Sequence, residues 1–314
     1  STRALLIIAG LVGLIVITAI TYQKKLASQA IPDYNKNVNL KGLEQTVKVH
    51  RDEMGIPHIY AQNQRDLYKA TGYIMAQDRM WQMDLLRRVT LGRLAEIFGK
   101  DFIQADMLFR ALRFSQKSQM ILDSISPQMK TYLQAFTNGI NQYMQDYQGK
   151  LPPEFTILGY QPAKWEMLHT INLIGYMAWD LSGSWNTEMI LYKLKNQLDS
   201  SRYSHLIPDM ANLSPHMYKG MHAAEEQLSQ HSLLKAGKVP ADLGLQVFTA
   251  SNNWAVSAGK SATGNALLAN DMHLGLNIPG IWMQMHQVIP GKVNVTGVAL
   301  PGAPFIISGH NEHM

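Results

Sequence analysis

The sequence has no cysteine among its 314 residues. This absence excludes disulfide bonds, thiol catalysis and zinc sites built on cysteine thiolates, and it leaves the redox compartment open. The eleven histidines show no His-Glu-x-x-His motif and no other close ligand spacing. The sequence therefore does not favour a histidine zinc site either.

Basic runs and the Gly-x-Ser-x-Gly motif are also missing. The formal net charge is +5, but Lys and Arg are scattered and do not alternate with aromatic residues, so nucleic-acid binding is not indicated. A missing nucleophile elbow does not exclude acyl transfer, because other serine arrangements perform it. With 46% hydrophobic and 16% charged residues, the chain can build the core of one large domain or two ordinary ones.

An apolar run opens the chain. Every residue from Ala4 to Gln23 is uncharged, and as a helix the run to Ile20 spans roughly 26–30 Å, about one hydrocarbon core. This predicts an uncleaved signal-anchor in the inner membrane with the body of the protein outside the cytoplasm. The alternative is a signal peptide, cleaved after Ser28-Gln29-Ala30, and secretion to the periplasm.

Short strands and long helices are predicted next. Two strands should flank a turn at Glu53 to Gly55, and Pro57 favours an edge position in the sheet. From Asp66 to Gly99, apolar residues recur at intervals of three and four, which predicts two helices broken near Leu91-Gly92. The charged residues within this stretch are interpreted as surface or interhelix ion pairs; they are Arg79, Asp84, Arg87, Arg88 and Glu96.

The pattern stays helical from Met107 to Tyr147 and ends at Pro152-Pro153. Another helix is predicted from Trp165 onward. Strands are predicted at Ile281 to Ile289 and at Val293 to Leu300, joined by a turn that contains Pro290 and Gly291.

Between these regions, Thr249 to His273 predicts a β-hairpin with a long loop. The apolar runs Trp254 to Val256 and Ala266 to Ala269 flank a turn-rich segment, and Ser251 stands at the start of the first strand. By itself, a serine in this position is usually a cap or a polar edge residue.

Four motifs in order resemble the penicillin acylase family. Ser-Asn-Asn-Trp-Ala-Val (251–256) and Leu-Leu-Ala-Asn-Asp-Met-His-Leu (267–274) resemble the start of its β chain. Arg-Asp-Glu-Met-Gly-Ile-Pro-His-Ile-Tyr-Ala (51–61) and Ala-Gln-Asp-Arg-Met-Trp-Gln-Met-Asp-Leu-Leu-Arg-Arg (76–88) resemble its α chain. The resemblance implies an α+β N-terminal nucleophile hydrolase with a four-layer αββα core and a largely helical α chain.

In that family the precursor cuts its own chain immediately before the nucleophile. The matching bond here joins Ala250 to Ser251, so the resemblance implies that Ser251 is the catalytic residue. A serine hydroxyl needs a base, and the new α-amino group, with an unperturbed pKa of about 7.7–8.0, can accept its proton directly or through water. The implied reaction is hydrolysis of a linear amide, such as the acyl side chain of a β-lactam, through an acyl-enzyme.

Further site residues follow from the same resemblance. His273 stands where family members carry His or Gln, and its imidazole would hold the α-amino group or its water. The implied acyl pocket consists of Met177, Leu181, Leu274, Ile307 and Ser308. Such a lining predicts that aliphatic or aromatic acyl groups are preferred over charged ones.

The segment that supplies Met177 and Leu181 also resembles the part of the family that gives a glutamate to bound calcium, and Glu188 is the matching residue. Calcium takes six to eight oxygen ligands, so one carboxylate cannot hold it. We therefore expect calcium as the cofactor of a complete enzyme, but weak or no binding by this chain alone.

The resemblance divides the chain into a membrane segment (1–30), an α-chain region (31–224), a linker (225–250) and the start of a β chain (251–314). It implies that the α and β chains form a heterodimer after cleavage. Because the family places its oxyanion donors beyond the position of Met314, the expectation is that these 314 residues alone stay uncut and do not turn over amides.

Two alternatives stay open. An acyl-homoserine-lactone or cephalosporin acylase shares these motifs and differs in the shape of its pocket. A catalytically inactive, membrane-anchored remnant or binding protein is the alternative outside enzymes. Labelling of Ser251 by a serine-directed reagent separates the two classes.

Overall fold

The protein has a mixed α+β fold, as predicted. This computed structural model describes residues 2–182, 184–206, 238–239, 243, 250–275 and 277–313. The helices are α1 (Thr2–Ala30), α2 (Gln64–Leu91), α3 (Ala95–Phe98), α4 (Ile103–Ala111), α5 (Phe114–Ser124), α6 (Pro127–Asp146), α7 (Pro153–Ile157), α8 (Met167–Leu181), α9 (Ser184–Gln197) and α10 (Ser200–Leu206). The strands are β1 (Lys48–Arg51), β2 (Pro57–Tyr60), β3 (Ala250–Val256), β4 (Leu267–His273), β5 (Met283–Ile289), β6 (Val293–Ala299) and β7 (Ser308–Asn311).

Helix α2 forms the centre of the core and packs closely on α6. Gly72 and Gly139 allow this approach, because a Cβ at Gly139 would lie 2.0 Å from the carbonyl oxygen of Lys69. The helix ends at Gly92, which has a left-handed φ of 59° and confirms the predicted break. The helix predicted from the recurring apolar residues after Asp66 is thus confirmed.

Buried charges fix the second half of α2. The carboxylate of Asp84 is fully buried and accepts hydrogen bonds from Arg87, from Arg88 at 3.1 Å and from the hydroxyl of Tyr160 at 2.7 Å. Arg87 also donates to the carbonyl oxygen of Ala163 at 2.8 Å. The interpretation of these charges as surface or interhelix pairs is confirmed for Glu96, which is half-exposed on α3 and pairs with Arg88. It is wrong for Asp84, because the pairs of this residue lie within one helix and under the connection between α7 and α8.

The main sheet has the strand order β1-β2-β5-β6-β7, and only the β2–β5 pair is parallel. The predicted edge position of Pro57 is wrong, because β2 lies between β1 and β5. Proline is tolerated there because it is the first residue of β2, and pairing with β5 starts at His58. The predicted strands around Glu53 to Gly55 and after Ile281 are confirmed.

The two faces of this sheet differ in chemistry. The inner face lies against α2, where Gln287 donates to the hydroxyl of Thr71 at 3.2 Å between buried methionines. The outer face carries a row of paired residues that runs across all five strands. We call this set the histidine row; its members are His50, His58, His286, Thr296 and His310.

Helix α1 is exposed along its length. Within Leu6–Ala30, an 18-residue window has a mean hydropathy of 2.2, and none of this window is buried against the protein. In the described ranges it is the one helix that is long and apolar enough to cross a membrane. This fits both the signal-anchor and the signal-peptide expectation. Most of the predicted linker, 225–250, lies outside the described residues.

Candidate active site

Ser251 lies on an exposed two-stranded ribbon formed by β3 and β4, which confirms the predicted hairpin. In the antiparallel register Ser251 pairs with Met272, and Asn253 pairs with Asn270. Because side chains alternate along a strand and paired residues share a face, these four side chains lie on the same face of the ribbon. We call it the Ser251 face.

A hydrogen bond connects the Ser251 face to the main sheet. The side-chain amide of Asn270 donates to the hydroxyl of Ser308, the first residue of β7, at 2.8 Å. Asn270 pairs with Asn253, which is two positions, about 7 Å of strand, from Ser251. The structure therefore brings the expected nucleophile and one expected pocket residue to the same side of the ribbon.

His273 lies on the opposite face of the ribbon. It pairs with Ala250, and its Nδ1 donates to the carbonyl oxygen of Asp271 at 3.2 Å and lies 3.5 Å from the Asp271 carboxylate. The structure of the uncut chain does not bring its ring to Ser251. A role for His273 in proton transfer stays a prediction.

The other pocket residues lie on α8 and on the segments around β4 and β7. Met177 and Leu274 are partly buried and pack against the core. Leu181 and Ile307 are 48% and 47% exposed. Their role in an acyl pocket stays a prediction.

Close packing joins α8 to the segment that leads to β7. Gly302 has a φ of 99°, and a Cβ there would lie 2.4 Å from Cδ1 of Leu173 on α8. Leu173 is one helical turn before Met177, so the helix that carries Met177 supports the segment that ends in Ile307 and Ser308.

Glu188 is exposed on α9. Within the described residues, no group of three or more His, Asp or Glu side chains is arranged to hold a metal ion. The residues described here do not build an oxygen cage for calcium around Glu188. Calcium therefore stays a prediction.

Sequence reasoning assigned no role to two residues on the Ser251 face, Asn270 and Met272. Both belong to the motif at 267–274. The strand register shows that they lie on the same face of the ribbon as Ser251. Once Ala250 is paired with His273, alternation places Met272 beside Ser251 and Asn270 two positions further.

Comparison with known proteins supports the resemblance of these motifs. Residues 46–314 match the family described as penicillin amidase. The penicillin acylase 2 proenzyme of Pseudomonas sp. (strain SE83) is 32% identical over 286 residues, which cover 88% of this chain and 36% of that protein. The acyl-homoserine lactone acylase QuiP of Pseudomonas syringae pv. syringae (strain B728a) is 29% identical over 277 residues, 87% of this chain and 34% of that protein.

Among solved structures, a thermostable penicillin G acylase from Alcaligenes faecalis is 25% identical, covers 59% of this chain and superposes with a TM-score of 0.46. The chain spans about a third of the length of the curated relatives it matches, 34% and 36% in the two cases above. The family match nevertheless covers all of the described residues from 46 onward. The chain belongs to the penicillin amidase family.

Proposed function

We propose that this protein is the amide-hydrolysing part of an N-terminal serine hydrolase that cuts its own chain between Ala250 and Ser251. One observation carries the proposal: in a family member, the Ser251 face is joined by the Asn270–Ser308 hydrogen bond to a segment that the family motifs assign to the acyl pocket. The reaction is hydrolysis of a linear amide.

Self-cleavage uses atoms of the hairpin itself. The Oγ atom of Ser251 attacks the carbonyl carbon of Ala250, the peptide C–N bond breaks, and the hydroxyl proton moves to the nitrogen of Ser251. This shift frees the α-amine of Ser251 and leaves an ester between Ala250 and Oγ, which water then hydrolyses to a carboxylate on Ala250 and the free hydroxyl of Ser251. The exposure of Ser251 gives water access to the ester.

Turnover uses the amine that cleavage releases. The nitrogen of Ser251 lies in a peptide bond before cleavage and is not basic, whereas a free α-amine accepts the hydroxyl proton near neutral pH. Oγ then attacks the acyl carbon of the substrate, the amine product leaves with a proton, and water hydrolyses the acyl-enzyme. We assign to His273 the orientation of the α-amine after cleavage has freed the end of β3.

The substrates we propose are small N-acyl amides with an apolar acyl group. The named relatives include a penicillin acylase and an acyl-homoserine lactone acylase, so either a β-lactam or an acyl-homoserine lactone is a candidate. A free carboxylate in a pocket lined by Met177, Leu181 and Ile307 would lose hydration without gaining a partner.

We expect phenylacetyl or fatty-acyl amides to be hydrolysed at least about tenfold faster than glutaryl amides, because burying an unpaired charge costs more than 1.4 kcal/mol. Initial rates with matched leaving groups measure this. Ile307→Arg should shift the preference toward glutaryl, whereas Ile190→Arg on the exposed face of α9 should not. A wild-type preference for glutaryl amides would contradict the pocket assignment but not the nucleophile.

We further propose that cleavage gives an α/β heterodimer and that α1 anchors it to the inner membrane, with the enzyme on the outer side. The exposed apolar surface of Leu6–Ala30 supports this, because none of its apolar window is buried within the described part of the protein.

Membrane attachment predicts that the chain sediments with membranes, resists washing with carbonate and requires detergent for release. A variant that begins at Ile31 should be recovered in the soluble fraction and keep its fold, because α1 contributes nothing to the core. Recovery of a chain that still begins near Ser1 in the soluble fraction would refute the anchor and favour a different role for α1.

A further inference from the structure

Two histidines of the histidine row face each other on adjacent strands. His58 on β2 and His286 on β5 are paired in the parallel register, although 228 positions separate them in the sequence. Their Nδ1 atoms lie 3.0 Å apart, and the rings meet edge to face. Both side chains are partly exposed on the outer face of the sheet.

The environment of His286 fixes its tautomer. Its Nε2 lies 2.7 Å from Oδ1 of Asn294. The amide of Asn294 is itself oriented, because its nitrogen donates to the carboxylate of Glu312 at 2.7 Å. An amide oxygen only accepts, so Nε2 of His286 carries the hydrogen. In the neutral ring Nδ1 then has a lone pair and no hydrogen.

The environment of His58 also fixes the tautomer of its ring. Its Nε2 lies 3.4 Å from Oδ2 of Asp52. Oδ1 of Asp52 accepts the backbone N–H groups of Met54 and Ile56 at 2.9 Å each. A carboxylate whose one oxygen accepts two backbone N–H groups presents its other oxygen to Nε2 as an acceptor. Nε2 of His58 is therefore the donor, and Nδ1 again has a lone pair.

In their neutral forms the two rings thus point nitrogen lone pairs at one another across 3.0 Å, with no hydrogen between them. A cation between the two atoms turns this repulsion into attraction. We propose that His58 and His286 bind one divalent transition-metal ion of the class that prefers imidazole nitrogen, such as Zn²⁺, Ni²⁺ or Cu²⁺.

The distances fit this assignment. Zinc–nitrogen bonds of about 2.0–2.1 Å at a tetrahedral angle separate two ligating nitrogens by roughly 3.4 Å, a few tenths of an ångström more than the pair shows. Asp52 and Asn294 each accept the other N–H of a ring, and this is how oxygen atoms orient histidine ligands in metal sites. A single proton between the two Nδ1 atoms is the competing occupant, because it also leaves an N–H on each Nε2, and the zinc titration distinguishes the two.

The site is open rather than closed. Among the residues that the structure describes, no third His, Asp or Glu completes a ligand cluster, so water would occupy the remaining positions. The side chain of His58 is 27% exposed, which allows the metal to enter from solvent. The expected affinity is accordingly moderate, below that of a four-ligand structural zinc site.

Zinc titration of the full chain in detergent tests the proposal, in a buffer above the usual titration range of histidine. We expect one equivalent to bind with a dissociation constant well below about 1 mM. His58→Gln and His286→Gln should each weaken binding at least about tenfold, and Asp52→Asn should weaken it by a similar factor through the ligand it orients. His310→Gln is the matched control, since His310 lies on the same row two strands from His286.

Nitrogen NMR of the histidine rings gives a second readout that needs no variant. Zinc should shift the Nδ1 resonances of His58 and His286 and leave that of His310 in place. Equal binding by wild type and both glutamine variants would overturn the proposal. So would unchanged Nδ1 resonances at saturating zinc, or the absence of binding tighter than about 1 mM; a proton alone would then bridge the pair.

Discussion

In the protein isolated from the cells that make it, replacing Ser251 with alanine is expected to abolish both cleavage of the Ala250–Ser251 bond and hydrolysis of phenylacetyl or fatty-acyl amides. The methyl group has no oxygen to attack either carbonyl, and no other group on the Ser251 face is a comparable nucleophile; its other members are Asn253, Asn270 and Met272. Loss of the attacking serine costs on the order of 10⁶ in rate in a serine protease, and we expect a similar factor here.

The matched control is Ser257→Ala. Ser257 lies in the same hairpin, just after β3, and it is exposed as Ser251 is. This variant should be cleaved and should retain its rate within about twofold, because a surface substitution of this kind changes little. If Ser251→Ala keeps a measurable rate, or if both variants lose activity equally, Ser251 is not the nucleophile.

Asp84→Ala should be the most destabilising change in the helical core. The substitution leaves the guanidinium groups of Arg87 and Arg88 without their buried carboxylate and removes the acceptor of the Tyr160 hydroxyl. Removing one partner of a buried ion pair costs about 3–5 kcal/mol, a large share of the stability of an ordinary domain. Urea unfolding followed by circular dichroism measures the free energy.

Glu96→Ala is the control at the other end of the same cluster. Glu96 also binds Arg88, at 3.1 Å, but its side chain is 45% exposed to solvent. Solvent screens such a pair, so we expect a loss of less than about 1 kcal/mol. If the two variants lost similar amounts of unfolding free energy, burial would not make Asp84 contribute more to stability than Glu96 does.

Local sequence patterns correctly predicted several helices and strands of this fold. The spacing of apolar residues located α2, and the flexibility of glycine explains why the helix ends at Gly92. The β-hairpin around Ser251 followed from two short apolar runs and a turn-rich segment between them. These features depend on neighbours in the sequence, which is the information that periodicity carries.

The local sequence pattern did not predict features that depend on residues distant in the sequence. Pro57 indicated an edge, but β2 gains a partner from β5, which is more than two hundred residues later in the chain. The burial of Asp84 depends on Tyr160 and on the connection that covers it. The His58–His286 pair has no close spacing in sequence, so a search for metal-ligand motifs does not find it.

In the candidate site, too, some features follow from the local sequence and others depend on distant residues. Family motifs predicted Ser251 as the nucleophile and Ala250–Ser251 as the scissile bond, and the local sequence pattern located the strand that holds them. The contact between Asn270 and Ser308 depends on how the ribbon meets β7. The position of His273 on the opposite face depends on a register that alternation fixes only after the strands are paired.

The central claim is that Ser251 becomes a chain terminus. Mass spectrometry of the protein isolated from the cells that make it tests this most directly, because it reads the new terminus. We predict a chain that begins Ser-Asn-Asn-Trp, matching residues 251–254, and its absence from cells that carry Ser251→Ala. A preparation that hydrolyses amides while its Ala250–Ser251 bond is intact would contradict the account.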